Sequence, residues 1–478
     1  MTQTFGSRLI LGAALLTFFS CKTRSLENTA LKDLTNSAQQ GEALPPDTQA
    51  RWDAYVQSLP LDRLQEGCAP KQFRPQQKSR GLVVIYHGFT GCPNQFINVA
   101  EELQDLGYHV LLPLLPGNGR IAKSIDQATI QKLEAERKKP IAQIVREGGA
   151  PQVVFDNFDD IPNETESYVQ YALTMTKIAE SFPGPRIIVG LSLGGGLAVK
   201  TLITGAERKP KGSPNVWERG LLITPFFKAP SILGNTVKVV PNASAGIDVG
   251  FGAGCEARQV DIGYRKSNGI CDFEIENIKA LQSLGAQVGV QKEMSKIKVP
   301  VAVIGVANDK TSDNTAIINA FSFTDPAKTR VCFYPDEVNH ATIIEADFAP
   351  LAESYRSSLP KARDRNATPR FARHWSRAVQ DKIVTYIAEG FDTQGGPFTV
   401  STEPSTEKNP KAIRCALTID YDAVQEQNRK LCREGKGLPD YCADLEFIYP
   451  NYCQSPDVQG LPDASRFKQY CLGKFPKK

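Results

Sequence analysis

The chain has 478 residues with 56 Lys+Arg and 52 Asp+Glu, which gives a formal net charge of +4, and no Lys/Arg block exceeds a few residues. This balance excludes a protein that tracks nucleic-acid phosphates, and the absence of an apolar run of about 18 residues excludes a permanent membrane span. At about 150 residues per domain, the length indicates roughly three domains or one large α/β domain with appendages. The 11 cysteines are numerous for a protein that lives among reducing thiols.

The N-terminus predicts export. Arg8 precedes an apolar or small stretch over 9–19 and the pair Ser20-Cys21, the pattern of a signal peptide over 1–20. Phe18-Phe19-Ser20-Cys21 also resembles a bacterial lipobox, although Phe18 stands where that pattern usually has Leu. The resemblance implies that Cys21 carries a lipid and that the mature protein is an envelope lipoprotein anchored in a membrane. Ordinary cleaved export and an uncleaved or cytosolic chain are the alternatives.

Residues 21–50 are polar and predict a tether, and the patterned region 51–394 predicts one large domain. Strands alternate with helices along it. The predicted strands are 81–86, 109–115, 186–190, 220–224, 299–305 and 330–334, and the predicted helices include 96–106, 168–178, a segment from 197 onward, and 371–389. This alternation is typical of an α/β fold with a mostly parallel sheet.

Four segments interrupt or follow this alternation. Residues 119–160 are charged, and residues 226–295 are Gly-rich. Residues 395–412 contain Pro, Ser, Thr and Lys and predict a linker. Residues 413–478 hold five cysteines and predict a small disulfide-rich module.

The segment Gly190-Leu191-Ser192-Leu193-Gly194 places G-x-S-x-G between a predicted strand and a predicted helix. In such an elbow the glycines permit a tight turn, and the turn lifts the serine hydroxyl above the sheet edge. The segment His87-Gly88-Phe89-Thr90-Gly91 follows the first buried strand directly. An H-G turn there aims the Phe89 N–H at the space above the serine, so Phe89 and Leu193 N–H groups would form an oxyanion hole. For an isolated H-G pair, His87 would simply cap a turn.

An acid and a histidine should follow the serine in the chain. His340 follows the last predicted strand of the large domain and is the only one of the four histidines in a suitable loop. Asp309 follows the preceding strand, and Asp313 is the alternative acid. Either carboxylate would orient the imidazole and stabilise its cation.

Taken together, H-G-F-T-G, G-L-S-L-G-G, the acid after the penultimate strand and His340 resemble the α/β-hydrolase superfamily, in particular its carboxylesterases and monoacylglycerol lipases. The resemblance covers roughly residues 75–390. It implies a mostly parallel eight-stranded sheet flanked by helices, with a small cap insertion at about 226–295. The insertion at 119–160 is longer than the family pattern has between the fourth strand and the elbow helix, and the cysteine-rich C-terminal module has no counterpart in that pattern. Both departures leave the substrate open.

The resemblance implies a serine hydrolase that cleaves a small-molecule or lipid ester through the triad Ser192, Asp309 and His340 and an acyl-enzyme. A peptidase or acyltransferase on the same fold, and a non-catalytic envelope binding protein, are the alternatives. We expect no cofactor, no metal site and no nucleic-acid partner. No pattern bears on the oligomeric state.

The remaining cysteines predict structural roles. Cys255 and Cys271 lie in the Gly-rich segment at a spacing that suits a disulfide. Cys92 can pair with Cys68 and brace the turn after the first strand. Cys332 lies in a predicted strand, where a buried free thiol is the expectation.

Overall fold

The computed structural model describes residues 41–64, 68–89, 91–120, 162, 164–209, 212–213, 215–230, 275–306, 309, 311–334, 383–390, 398–402, 413–419, 426 and 472–473. The predicted signal peptide, Cys21, the disulfide candidates Cys255 and Cys271, and His340 lie outside these residues. Most of the predicted cap insertion and of the C-terminal module also lies outside them.

Nine strands of the described chain form one sheet. They are β1 (Lys71–Phe73), β2 (Gly81–Tyr86), β3 (Tyr108–Leu112), β4 (Arg186–Leu191), β5 (Arg219–Ile223), β6 (Val301–Val306), β7 (Thr329–Tyr334), β8 (Phe398–Thr402) and β9 (Ile413–Ile419). Their order is β1-β3-β2-β4-β5-β6-β7-β9-β8. All neighbours from β3 to β9 are parallel, and the two edge strands β1 and β8 are antiparallel.

Eight helices accompany this sheet in the described residues. They are α1 (Pro46–Gln57), α2 (Ile97–Asp105), α3 (Thr165–Glu180), α4 (Leu193–Glu207), α5 (Ile275–Val288), α6 (Gln291–Met294), α7 (Asn314–Phe321) and α8 (383–389). Short 3-10 turns span Leu61–Arg63 and Pro93–Phe96. The described part contains no helix long and apolar enough to span a bilayer.

The strands are apolar because parallel strands in such a sheet are covered on both faces. Every residue of β2 and of β6 is buried. Helix α4 is buried along most of its length, since it packs on the central strands and is covered by α3 and α5. The predicted α/β-hydrolase fold, with a mostly parallel sheet and flanking helices, is confirmed.

The sheet is wider than the eight strands that the resemblance implies. Strand β9 pairs in parallel with β7, and β8 pairs with β9 on its outer side. Strand β8 lies in the predicted linker and β9 at the start of the predicted module, so the sheet continues beyond residue 394. The physical reason is the free edge of β7, which the segment I-R-C-A-L-T-I can extend by backbone hydrogen bonds.

Helix α1 begins inside the segment predicted as a tether. Pro46 occupies its first turn, where the missing N–H of proline costs nothing. Trp52 and Tyr55 are buried in the main core. The Tyr55 hydroxyl donates to the Leu114 carbonyl at 2.8 Å and accepts from the Leu114 N–H at 3.0 Å. The folded domain therefore starts before residue 51.

Candidate active site

Ser192 lies at the carboxyl end of β4, immediately before α4. Its φ of 55° and ψ of −117° place it in a conformation that non-glycine residues rarely adopt. Three hydrogen bonds hold its backbone: its N–H donates to the Ile223 carbonyl at 2.8 Å, and its carbonyl accepts from the N–H groups of Gly196 at 3.0 Å and Phe226 at 2.8 Å. The strained turn is therefore fixed both by its own helix and by the chain after β5.

Two glycines make this turn possible. A Cβ on Gly190 would lie 2.1 Å from the Gly194 carbonyl oxygen, and a Cβ on Gly194 would lie 2.4 Å from the His87 carbonyl oxygen. Both distances are far inside van der Waals contact. The second also shows that the start of α4 abuts the end of β2, and this brings Leu193 and Phe89 to the same corner of the sheet.

Gly195 and Gly196 continue the glycine run at the start of α4. A Cβ on either residue would meet the chain after β5, and a Cβ on Gly195 would also lie 3.2 Å from the Gly190 carbonyl oxygen of β4. An added Cβ would lie 2.8 Å from Pro225 Cα at Gly195 and 2.5 Å from the Phe226 carbonyl oxygen at Gly196. These glycines therefore admit the segment that holds the Ser192 carbonyl.

The His87 side chain joins two loops at this corner. Its Nδ1 lies 2.8 Å from the Gly88 carbonyl, and its Nε2 accepts from the Leu115 N–H at 3.0 Å. Since a carbonyl only accepts, the proton resides on Nδ1 and the ring is neutral. Complete burial lowers the pKa of His87 to about 4. His87 thus does more than cap a local turn, because it anchors the turn to the loop after β3.

The turn after His87 has further supports. The Gly88 N–H donates to Gln95 Oε1 at 3.0 Å, and the Gly91 N–H donates to the Gly88 carbonyl at 3.0 Å. Asn118 Nδ2 donates to the carbonyls of Phe89 at 2.5 Å and Gly91 at 3.2 Å. Asn118 is not among the predicted site residues. The only local signal for it is the Gly117-Asn118-Gly119 turn after β3.

The predicted Cys68–Cys92 disulfide is confirmed, with an S–S distance of 2.03 Å and a Cα–Cα distance of 4.9 Å. Both cysteines are buried beside Leu114. Gly119, at φ 60°, approaches both sulfur atoms so closely that an added Cβ would lie 2.7 Å from Cys68 Sγ and 2.9 Å from Cys92 Sγ. The disulfide therefore anchors the far end of the turn to the same loop that Asn118 and His87 reach.

Asp309 lies after β6, and its Oδ1 accepts from the N–H groups of Thr311 at 2.8 Å and Ser312 at 2.9 Å. The Ser312 hydroxyl donates to the Thr224 carbonyl at 3.3 Å. Thr224 is the second non-glycine residue with positive φ in the described chain, at 40°, and directly follows β5. The Asp309 loop is thus tied to the same segment after β5 that holds Ser192.

Asp313, the alternative acid, has a different task. Its Oδ1 accepts from the N–H groups of Thr315 at 2.9 Å and Ala316 at 3.2 Å, so it is the N-cap of α7. Its other oxygen lies 3.6 Å from Lys228 Nζ. Both candidate acids thus accept two backbone N–H groups through one oxygen, and Asp313 differs in capping a helix and in lying beside Lys228.

Cys332 corrects one expectation. It is buried in β7 but disulfide-bonded, so it is not the free thiol that we expected. Strand β9 lies beside β7, and the Cα of Cys415 is opposite the Cα of Cys332 in the register of the two strands. The described residues contain no group of three or more His, Cys, Asp or Glu able to hold a metal ion.

The family model described as serine aminopeptidase, S33 matches residues 77–347. Among solved structures, the chain is similar to a metagenome-derived lipolytic enzyme from a study of LipS and LipT (18% identity, 60% of this chain and 94% of that one, TM-score 0.36). It is also similar to monoacylglycerol lipase of Paleococcus ferrophilus (13% identity, 67% of this chain and 98% of that one, TM-score 0.41). A third similar structure is monoglyceride lipase of Saccharomyces cerevisiae (15% identity, 56% of this chain and 82% of that one, TM-score 0.37). No curated protein matches.

Proposed function

The chain belongs to the serine aminopeptidase S33 family of α/β-hydrolases, and from this premise we propose that it is a serine hydrolase that cleaves carboxylic esters. The observation that carries the proposal is Ser192, held at φ 55° between β4 and α4. A strained residue of this kind costs on the order of 1–3 kcal/mol and persists where the surrounding structure fixes it, typically at functional sites. Here the strain presents a hydroxyl at the carboxyl edge of the sheet.

The proposed reaction proceeds in two steps. His340 removes the Ser192 proton as the oxygen attacks the ester carbonyl, and it then delivers that proton to the departing alkoxide. Asp309 orients His340 and stabilises its cation. Water, activated by the same histidine, then hydrolyses the acyl-enzyme. In both steps the N–H groups of Phe89 and Leu193 stabilise the negative oxygen of the tetrahedral intermediate.

A peptidase on the same machinery is the second candidate, because the matching family is described as an aminopeptidase. The elbow and the H-G turn serve an ester and a peptide substrate equally, since both substrates acylate the serine. The proposal of an ester follows the resemblance of the two motifs to those of carboxylesterases and monoacylglycerol lipases. An acyltransferase differs only in the nucleophile that resolves the acyl-enzyme.

A fluorophosphonate probe tests the nucleophile. We expect the wild-type protein to be labelled and Ser192→Ala not to be labelled. Ser181→Ala is the matched control, because Ser181 ends α3 just before β4 and thus lies at the opposite end of that strand from Ser192. Equal labelling of Ser192→Ala, or full turnover by it, would refute the proposal.

A substrate panel separates the candidates. We expect turnover of p-nitrophenyl esters of some chain length and none of amino-acid p-nitroanilides. Preferential turnover of the anilides would identify a peptidase, and acyl transfer to an added alcohol in preference to water would identify an acyltransferase. A folded protein with neither turnover nor labelling would be a binding protein.

We further propose that the protein is exported and held in the cell envelope by a lipid on Cys21. The Cys68–Cys92 disulfide and the disulfide-bonded Cys332 support this, because disulfides persist mainly outside the reducing cytosol. Metabolic incorporation of an alkyne fatty acid should label the wild-type chain and not Cys21→Ala, and Cys471→Ala should be labelled normally. Labelling of Cys21→Ala would contradict the anchor.

A further inference from the structure

Asn118 lies in the loop after β3, completely buried, with its side-chain amide directed at the turn after β2. We propose that Asn118 is a positioning residue of the oxyanion hole, which acts by fixing the carbonyls of Phe89 and Gly91. This inference deepens the proposed function and rests on it. Asn118 has no part in the chemistry itself, because its amide hydrogens are directed at protein carbonyls.

The argument begins with the planarity of the peptide bond. The Phe89 N–H and the Gly88 carbonyl belong to one trans peptide, so they point in opposite directions and turn together. Whatever fixes the Gly88 carbonyl therefore aims the Phe89 N–H. That carbonyl accepts from His87 Nδ1 at 2.8 Å and from the Gly91 N–H at 3.0 Å.

Asn118 fixes two further peptides of the same turn, those that follow Phe89 and Gly91. Its Nδ2 carries two hydrogens, and the two carbonyls that it contacts, those of Phe89 and Gly91, lie on either side of residue 90. The bond to the Gly91 carbonyl holds the residue whose N–H reaches the Gly88 carbonyl. The bond to the Phe89 carbonyl fixes the peptide that follows the proposed oxyanion donor. His87 holds only the Gly88 carbonyl, so loss of Asn118 would release the turn from Phe89 to Gly91.

The main chain of Asn118 is held in place by the loop after β3. Its N–H donates to the Leu115 carbonyl at 3.1 Å, and the Leu115 N–H donates to His87 Nε2 at 3.0 Å. The neighbouring Gly119 packs on the Cys68–Cys92 disulfide. The amide thus projects from a loop that is connected to both ends of the turn, as positioning requires.

The test compares two buried asparagines. Asn215 is 2% exposed, and its side chain donates to the Leu202 carbonyl at 2.9 Å and accepts from the Trp217 N–H at 3.0 Å. It belongs to the loop between α4 and β5, at the end of the sheet away from Ser192. Asn118→Ala and Asn215→Ala should therefore both lower the thermal midpoint, and only the first should impair the chemistry.

For Asn118→Ala we expect kcat for the best p-nitrophenyl ester to fall by about 10- to 100-fold, somewhat less than the loss caused by removing an oxyanion donor outright. KM should change by less than about threefold, since ground-state binding does not use the hole. The affinity of an alkyl boronic acid, whose tetrahedral adduct places an oxygen in the hole, should fall in parallel with kcat/KM. Asn215→Ala should keep the wild-type kcat and boronate affinity.

Asn118→Ser retains a short hydroxyl and provides the second variant if the alanine variant does not fold. The proposal is wrong if a folded Asn118 variant keeps kcat and boronate affinity within twofold of wild type, or if its whole defect lies in KM. Failure of the proposed function has a different signature, which is turnover by Ser192→Ala. The two outcomes are therefore distinguishable within one set of assays.

Discussion

The double substitution Cys68→Ala/Cys92→Ala removes the Cys68–Cys92 disulfide. It should destabilise the protein by an amount that depends on the length of chain between the two cysteines. The cysteines are 24 residues apart in sequence. Closing a loop of that size removes chain entropy from the unfolded state that corresponds to about 3.5 kcal/mol at 25 °C. The close approach of Gly119 to both sulfurs adds lost packing to this figure.

The assay is thermal unfolding followed by circular dichroism. For a domain of about 350 residues, whose unfolding entropy is about 0.7 kcal/mol/K, a loss of about 3.5 kcal/mol corresponds to a fall of roughly 5 °C in the melting temperature. Activity at 20 °C should fall by less than about tenfold, because His87, Gln95 and Asn118 still hold the turn. The single variant Cys68→Ala also lacks the crosslink and leaves Cys92 as a free thiol. It is the matched control and should melt close to the double variant.

The reasoning is refuted if the double variant melts within about 2 °C of wild type. A second measurement adds a reductant to both proteins. If the reductant lowers the melting temperature of the double variant as much as that of the wild type, the reasoning is also refuted, because the stability that the reductant removes then comes from another disulfide, such as that of Cys332.

Two further predictions concern the acids and the histidines. Asp309→Asn should lower kcat by about 10⁴-fold with little change in stability. Asp313→Ala should lower the free energy of unfolding by about 1 kcal/mol, because the N-cap of α7 is lost, and should leave kcat nearly unchanged. The reverse pattern would make Asp313 the catalytic acid and Asp309 the structural residue. Burial lowers the pKa of both His87 and His109 to about 4, so the unfolded chain takes up these protons first as the pH falls below about 6.5. The unfolding free energy should therefore be highest above pH 6.5 and fall towards pH 4, by about 3 kcal/mol for the completely buried His87 and by a smaller amount for His109. His109→Phe should flatten part of this dependence in denaturant titrations, and an unchanged slope would contradict it.

The elements that the sequence predicted are those whose cause is local. The elbow at Ser192 follows from glycines at 190 and 194, which a tight turn requires wherever it occurs. The strands β2 and β6 follow from continuous apolar runs, since both faces of a parallel sheet are covered. Both signals lie within a few residues of the feature that they predict.

The features that the sequence missed depend on contacts between distant segments. Asn118 is an ordinary turn residue until β3 and β2 pair and bring it within hydrogen-bond distance of Phe89. The bonded state of Cys332 requires a second cysteine that its own strand does not contain, and the strand beside it, β9, joins β7 from far along the chain. Asp309 and Asp313 look alike in sequence, and only the start of α7 distinguishes them.

The sequence by itself thus determined the fold class, the family resemblance and the serine at the elbow, because short-range patterning and spacing carry that information, and it offered Cys68 as a partner that Cys92 could take. Only the tertiary structure decided the width of the sheet, the docking of α1, the engagement of Asp313 as a helix cap and the hold of Asn118 on the turn after β2. These depend on which free edges and unpaired polar groups meet once the chain is folded. Backbone and side-chain hydrogen-bonding groups must find partners when they are buried, and the identity of those partners is a property of the whole fold.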